Sequence, residues 1–496
     1  MTTVTITKID EAYVRLDCDL GTLQEISDAF TFKVPGAEFM PAYKSRYWDG
    51  KIRLVNAMTR TVYAGLYSHI RRFCEERDYE VVDGSDFSQS EFSAKEAVDF
   101  VKNLGLTEGI MPRDYQVKAF IHAVRNKRCV LLSPTASGKS LIIYMLMRYY
   151  NVRTLIVVPT VSLVHQLAGD FKDYGYVDPS ESGSGQERVG SGSGGIHKVF
   201  SGQEKDTEAQ VTITTWQSIY KLKKDWFKDF DLVIGDEAHL FKAKSLNTIM
   251  TNLCDTRYRF GLTGTLDGTQ THKLVLEGLF GPVYKVITTS ELMEQKHVSD
   301  LKIKCLVLGY PDEDRKRVKD MSYQDEMDFI VSNTSRNRFV KNLAISLHGN
   351  TLILFQYVEK HGKILYDMLK DEDRRVFFVH GGVDGEEREQ IRHIVSSESD
   401  AIIVASYGTF STGINIPSIS NLIFASPSKS RIRNLQSIGR GLRKADGKDV
   451  ATLYDIADDL TWKSKKNHTI NHFMERVKIY NEENFEYKLY NVRLNP

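Results

Sequence analysis

The stretch Ser133-Pro134-Thr135-Ala136-Ser137-Gly138-Lys139-Ser140 constrains this chain more than any other. It is a loop of small residues that follows an apolar run, 129–132, and opens a helical pattern from Lys139. A loop of this kind sits at the carboxyl edge of a strand, where its backbone N–H groups and the N-terminus of the next helix face a phosphate chain. In such a cradle Lys139 reaches the β and γ oxygens of a triphosphate and the Ser140 hydroxyl ligates Mg²⁺. Ser133 replaces the first glycine of the usual pattern and is small enough for the turn. A second signature, Asp236-Glu237-Ala238-His239, follows another apolar run, 232–235, which delivers two carboxylates to a sheet edge. Asp236 suits the metal's shell and Glu237 the polarisation of an attacking water. Either motif alone is a weak signal. Two in order, each after a strand, imply hydrolysis of a nucleoside triphosphate.

From about 113 to 290 the pattern repeats as strand, loop and helix, with buried-strand runs at 129–132, 154–158, 211–214, 232–235 and 259–262. A second series follows at 352–355, 376–379, 401–404 and 422–425, with helical segments at 359–370 and 385–395. Such alternation predicts two successive α/β domains, each a parallel sheet with flanking helices. Residues 1 to about 90 read as a small α+β module with one clear helix near 63–77, closed by a polar stretch at 83–90. The expected division is 1–90, 91–295 and 296–460, with 461–496 a C-terminal helix and strand packing on these α/β domains. The Ser- and Gly-dominated segment 180–195 reads as a flexible surface loop without a function of its own.

Overall charge names no partner: 66 Lys and Arg stand against 65 Asp and Glu. The distribution is less even. Between 33 and 72 lie eight basic residues, among them the candidate nucleic-acid contacts Lys44, Arg46, Lys51 and Arg53, and only two acidic ones, Glu38 and Asp49. Cations neutralise phosphates, and the interspersed Tyr43, Tyr47, Trp48, Tyr63 and Tyr67 can stack on unpaired bases, although aromatics in a small module serve equally as core. No apolar run reaches membrane-spanning length and the first residues lack a basic region before an apolar core, so the expectation is a cytoplasmic protein without a membrane partner. Five widely spaced cysteines without a Cys-x-x-Cys pair read as reduced thiols.

Further segments fit a nucleic-acid motor. The Gln116 amide in Arg113-Asp114-Tyr115-Gln116 can donate to and accept from an adenine edge, or simply begin a helix. Thr160 and the run Thr214-Thr215-Trp216-Gln217 end two strands and offer hydroxyls and N–H groups to phosphates. Thr263-Gly264-Thr265 closes another strand near the acids. Arg440 and Arg443, three positions apart in the run Gln436-Ser437-Ile438-Gly439-Arg440-Gly441-Leu442-Arg443, are expected on one helical face, as a cationic pair for the γ-phosphate or as a solvated basic face.

In this order the segments resemble the superfamily 2 helicases over roughly residues 110–460. The resemblance implies two tandem RecA-like domains with ATP between them and nucleic acid across both, preceded here by the α+β module. It implies that Arg113, Gln116, the loop 133–140, Gly413 and Asn415 hold ATP, and that Ser140 and Asp236 hold Mg²⁺. Lys139, Asp236, Glu237, Gln436, Arg440 and Arg443 would be catalytic, and Thr160, Thr215, Trp216, Gln217 and Thr412 would touch nucleic acid. Asn415 stands where many members carry Asp, which leaves its contact to ribose or to a motif arginine open. The run Ser332-Asn333-x-x-Arg336-Asn337 and the ending 475–482 are similar to the phage branch, the recombination helicases of T-even bacteriophages. That branch implies single-stranded and branched DNA as partner, including RNA–DNA hybrids, a monomeric motor and contacts with phage recombination proteins. The motor motifs by themselves leave open an RNA helicase or the double-strand translocase of a restriction-type complex.

Overall fold

Val4, Ile6, Val14 and Leu16 are buried and alternate with more exposed residues, the mark of strands covered on one face. They lie in β1 (Thr3–Lys8) and β2 (Tyr13–Asp17), which are followed by β3 (Thr31–Lys33), β4 (Lys51–Arg53), β5 (Val55–Asn56), β6 (Thr61–Tyr63) and β7 (Glu80–Gly84). Five of these form a sheet of order β5-β6-β2-β1-β7, and β3 pairs with β4 in a separate antiparallel hairpin. The helix expected near 63–77 is a 3₁₀ turn, Ala64–Leu66, leading into Tyr67–Glu75. A second helix, Leu20–Ala29, escaped the sequence reading because Gly21, Thr22 and Ser27 dilute its apolar face; Asp19 caps it by accepting from Thr22 N–H at 3.0 Å.

The chain is represented by a computed structural model that describes residues 2–177, 195–206, 208–242, 244–383, 390–391, 393–395, 397–412, 416, 418–428, 430–444 and 448–494. Most of the expected Ser/Gly loop and of the helix at 385–395, together with Gly413 and Asn415, falls outside the described residues. The chain divides into two units, Met1–Ser133 with Gly138–Val286, and Pro134–Ser137 with Ile287–Pro496.

In the first unit, β8 (Arg128–Leu132), β9 (Thr154–Val158), β10 (Ile196–Val199), β11 (Val211–Thr215), β12 (Leu232–Asp236), β13 (Tyr258–Thr263) and β14 (Val283–Lys285) form an all-parallel sheet of order β10-β11-β9-β12-β13-β8-β14. The central strands β9 and β12 are largely apolar because both faces are covered. One face shares its core with the N-terminal module: Val4, Ile6, Leu16 and Ile70 belong to the same cluster as Val130, Leu155, Val233 and Phe280. The polar stretch 83–90 runs along this body, with Ser90 N–H donating to the Arg125 carbonyl at 2.8 Å.

The attachment is close. Gly65 lies so near the helix Gln270–Phe280 that a Cβ on it would stand 2.0 Å from the Glu277 carbonyl oxygen. His69 Nε2 meets Glu277 Oε2 at 2.9 Å, and Tyr63 OH meets the Asn247 amide. The Glu11 carbonyl accepts from Arg128 Nη2 at 2.8 Å and from Arg259 Nη1 at 3.1 Å.

The second unit repeats the parallel arrangement with β15 (Asp300–Gly309), β16 (Thr351–Phe355), β17 (Val376–Val379), β18 (Ile402–Ser406), β19 (Asn421–Phe424), β20 (Val450–Asp459) and β21 (Tyr487–Arg493), in the order β17-β18-β16-β19-β20-β15-β21. The C-terminal strand β21 pairs in parallel with β15 from Ile303 to Gly309. Two buried ion pairs lock this unit. Arg336 binds both oxygens of Asp458, which also accepts from Tyr310 OH, and Arg476 binds Asp455 beside Tyr480 OH. Among the described residues no helix is long and apolar enough to cross a membrane.

Candidate nucleotide and nucleic-acid site

Strand β8 ends at Leu132, and Ser133 N–H donates to the Thr263 carbonyl at 2.8 Å, tying the start of the loop to the neighbouring strand β13. Two left-handed residues, Ala136 (φ 70°) and Gly138 (φ 76°), bend the loop. Position 138 requires glycine twice over: its φ is left-handed, and a Cβ would lie 2.5 Å from Gln116 Nε2. Ser137 Oγ closes the turn on the Pro134 carbonyl at 2.6 Å. The helix Lys139–Tyr150 follows at once, so its free N-terminal amides face the loop.

Gln116 is buried in the first turn of the helix Asp114–Asn126, and its amide serves the loop directly. Its Oε1 accepts from Arg113 N–H at 2.8 Å and its Nε2 donates to the Gly138 carbonyl at 3.0 Å. The Arg113 guanidinium meets Tyr115 OH at 2.8 Å. Lys139 Nζ lies 3.5 Å from the Ser133 carbonyl and 3.8 Å from Glu237 Oε1, which brings the cradle and the acid turn together. Ser140 Oγ is 2.7 Å from Tyr174 OH, a partner with no sequence signal because it comes from the end of a separate helix.

At the end of β12, burial and the adjacent Glu237 push the Asp236 carboxyl up to about 6, against the pull of Lys139. Its Oδ1 is sealed from solvent without a hydrogen-bond partner, a cost that a hard cation would relieve. With the Ser140 hydroxyl as a second oxygen donor, the residues fit Mg²⁺ held by few protein ligands; among the described residues no cluster of three or more His, Cys, Asp or Glu could hold a metal. Glu237 adopts a left-handed backbone (φ 52°), uncommon outside glycine. His239 Nδ1 lies 3.0 Å from Thr263 Oγ1 and 3.4 Å from Glu237 Oε2, and its carbonyl oxygen lies 2.9 Å from His272 Nε2. His272 was not singled out in the sequence, since one histidine in a helical segment carries no pattern.

The adjacent strands β9 and β11 bring their terminal motifs together. Thr160 caps the helix Val161–Asp173, and Gln217 Nε2 donates to the Pro159 carbonyl at 3.5 Å. Thr215 Oγ1 pairs with Ser218 Oγ at 2.9 Å, and the half-buried Trp216 starts the helix Trp216–Ile219. In the second unit Thr412 ends the helix Tyr407–Thr412.

Gln436 and Arg440 ride on the helix Arg431–Gly441. The expected shared helical face for Arg440 and Arg443 is not formed as such, because the helix stops at Gly441 and Arg443 lies in the following turn. That turn is fixed by Lys448, whose Nζ donates to the Gly441 and Arg443 carbonyls at 2.6 and 2.9 Å. Burial lowers this ammonium to about 8.

In the N-terminal module Lys44, Arg46, Lys51 and Arg53 are all exposed, with Arg53 paired to Asp49. Of the five interleaved aromatics, Tyr47 is 93% exposed, whereas Tyr63 and Tyr67 pack against the core and Trp48 Nε1 donates to the Lys51 carbonyl.

Residues 4–83 match the family "DNA helicase UvsW, N-terminal", residues 109–268 match "Type III restriction enzyme, res subunit", and residues 335–445 match "Helicase conserved C-terminal domain". The ATP-dependent DNA helicase uvsW of Enterobacteria phage T4 is 35% identical over 98% of both chains. The DNA 3'-5' translocase XPB2 of Sulfurisphaera tokodaii is 25% identical over 80% of this chain and 90% of its own. The crystal structure of T4 UvsW superposes with a TM-score of 0.51 at 32% identity, covering 99% of this chain and all of that one. A phosphate cradle facing two strand-end acids, two parallel α/β sheets and similarity along the whole length agree: the chain belongs to the UvsW family of ATP-dependent DNA helicases.

Proposed function

We propose that the protein uses ATP hydrolysis to unwind or remodel branched DNA, namely forks, Holliday junctions, displacement loops and RNA–DNA loops, in recombination, repair and replication. The observation that carries this reading is the similarity to a DNA helicase over 98% of the chain. Residues 1–90 form the DNA-binding module, 91–295 and 296–460 the two motor domains, and 461–496 a helix and strand packing on the motor. The protein works as a monomer in the cytoplasm of the host cell, alongside phage recombination proteins.

The loop 133–140 binds the triphosphate, with Arg113, Gln116, Gly413 and Asn415 contacting the nucleotide. Ser140 and Asp236 hold Mg²⁺, whose charge offsets that of the phosphates. Lys139 neutralises the β and γ oxygens, Glu237 orients the attacking water, and Gln436, Arg440 and Arg443 offset charge that develops as the γ-phosphate leaves. Thr160, Thr215, Trp216, Gln217 and Thr412 grip one strand, and Lys44, Arg46, Lys51 and Arg53 add phosphate contacts at a junction.

ATPase activity measured with single-stranded, duplex and forked DNA and with RNA tests the proposal. Forked DNA is expected to stimulate most, and Lys139→Ala and Glu237→Gln to abolish turnover while DNA binding persists. Neutralising Lys44, Arg46, Lys51 and Arg53 together should weaken fork binding more than single-strand binding and flatten its salt dependence. Stimulation by RNA equal to that by DNA, or an unchanged fork preference in the neutralised variant, overturns the branched-DNA reading.

A further inference from the structure

After Thr263-Gly264-Thr265 the chain turns through Leu266-Asp267-Gly268-Thr269 into the helix Gln270–Phe280. Gly268, at φ 84°, makes the turn. Asp267 Oδ1 accepts from Thr269 N–H at 2.9 Å and from its hydroxyl at 2.7 Å, and Thr269 Oγ1 accepts from His272 N–H at 3.2 Å. These bonds fix the first helical turn, and with it a buried imidazole, that of His272. Its Nε2 lies 2.9 Å from the His239 carbonyl. A carbonyl oxygen only accepts, so Nε2 carries the proton. On the other side Nδ1 lies 2.9 Å from Asp267 Oδ1 and 3.2 Å from Asp267 N. An imidazole engaged at both nitrogens and excluded from solvent has a single orientation.

The carbonyl it holds belongs to the last residue of the acid turn. The side chain of that residue is held separately, by Thr263 Oγ1. The turn is thus clamped from two directions, and it needs to be, because Glu237 sits in a left-handed conformation that persists only where the surroundings over-determine it. We infer that His272 is a positioning residue for ATP hydrolysis: its Nε2–H fixes the 236–239 turn and thereby the place of the Glu237 carboxylate. The inference rests on the reading of Glu237 as the group that orients water. A misplacement of about 1 Å at such a group costs up to about 10²-fold in rate.

Three substitutions test it in the full-length protein with saturating single-stranded DNA. His272→Gln keeps an N–H donor at the reach of Nε2, His272→Asn carries one too short to meet the carbonyl, and His272→Leu removes it. The Leu and Asn variants are expected to lose about 10- to 100-fold in kcat while KM for ATP stays within about threefold, and Gln to recover most of the rate. If His272→Leu does not fold, the contrast between Gln and Asn decides. Full kcat in the Leu or Asn variant overturns the inference, as does equal impairment of Gln and Asn with a matching fall in Tm, which would indicate packing alone. Normal turnover in Glu237→Gln would instead overturn the reading of Glu237 on which the inference stands; an inactive Glu237→Gln beside a fully active His272→Leu removes the inference only.

Discussion

Both parallel sheets bury arginines, but they satisfy them in opposite ways. In the second unit Arg336 and Arg476 each meet a buried carboxylate, on Asp458 and Asp455, with a tyrosine hydroxyl completing each set. In the first unit Arg259 meets main-chain carbonyls instead: Leu253, Met250, Leu279 and, across the attachment to the N-terminal module, Glu11. Three of these lie at or just past the ends of the helices Lys244–Asn252 and Gln270–Phe280, where partial negative charge collects. Burial and the nearby Arg128 pull the Arg259 guanidinium down to about 9. A carboxylate pair makes the second sheet self-sufficient. A carbonyl cage makes the first depend on a loop from the module.

The sharpest way to break this comparison is Asp458→Ala. It strands a fully buried guanidinium and should destabilise the second unit by about 3–5 kcal/mol, read from denaturant unfolding. A loss below about 1 kcal/mol would mean that Arg336 is satisfied otherwise. Arg259→Met removes a charge together with its desolvation cost and should cost less, about 1.5–3 kcal/mol. Hydrogen exchange should then rise at 250–254 and 277–281 and also at 9–12, the module side of the cage; unchanged exchange at 9–12 would sever the proposed dependence. Gly65→Ala forces the module away from the Glu277 carbonyl and should cost about 1–3 kcal/mol, while leaving the second unit's unfolding untouched. His69→Ala, which removes a partly exposed partner of Glu277, should stay within about 1 kcal/mol by the same assay.

The parts that could be read from the sequence are those where one residue type has one job. The apolar runs at 154–158 and 376–379 are strands to the residue; the first is buried on both faces, where little else is tolerated, and the second is a partly buried edge strand of β-branched and aromatic residues. The cradle and the acids were legible for the same reason. Strand β15 was not, since Lys302 and Lys304 interrupt its apolar residues, and β20 was hidden by Asp455 and Asp458, whose burial makes sense only once their arginine partners are in place. Strand β14, three residues long, is too short for any periodicity. Gln116 was visible as a candidate, but its grip on Gly138 depends on how a helix packs beside a loop 22 residues further on.

The contact at Gly65 bears on how this chain can change over generations. A surface that leaves no room for a methyl group cannot be exchanged piecemeal. A foreign segment replacing residues 1–84 would have to bring a glycine at this place, a carbonyl at the position of Glu11 and a partner for Glu277, or the recipient would inherit cramped and orphaned groups at once. The two stretches are therefore expected to be inherited and altered together, so that a substitution at Glu277 or Arg259 is tolerated only beside a matching one more than 190 positions earlier in the chain.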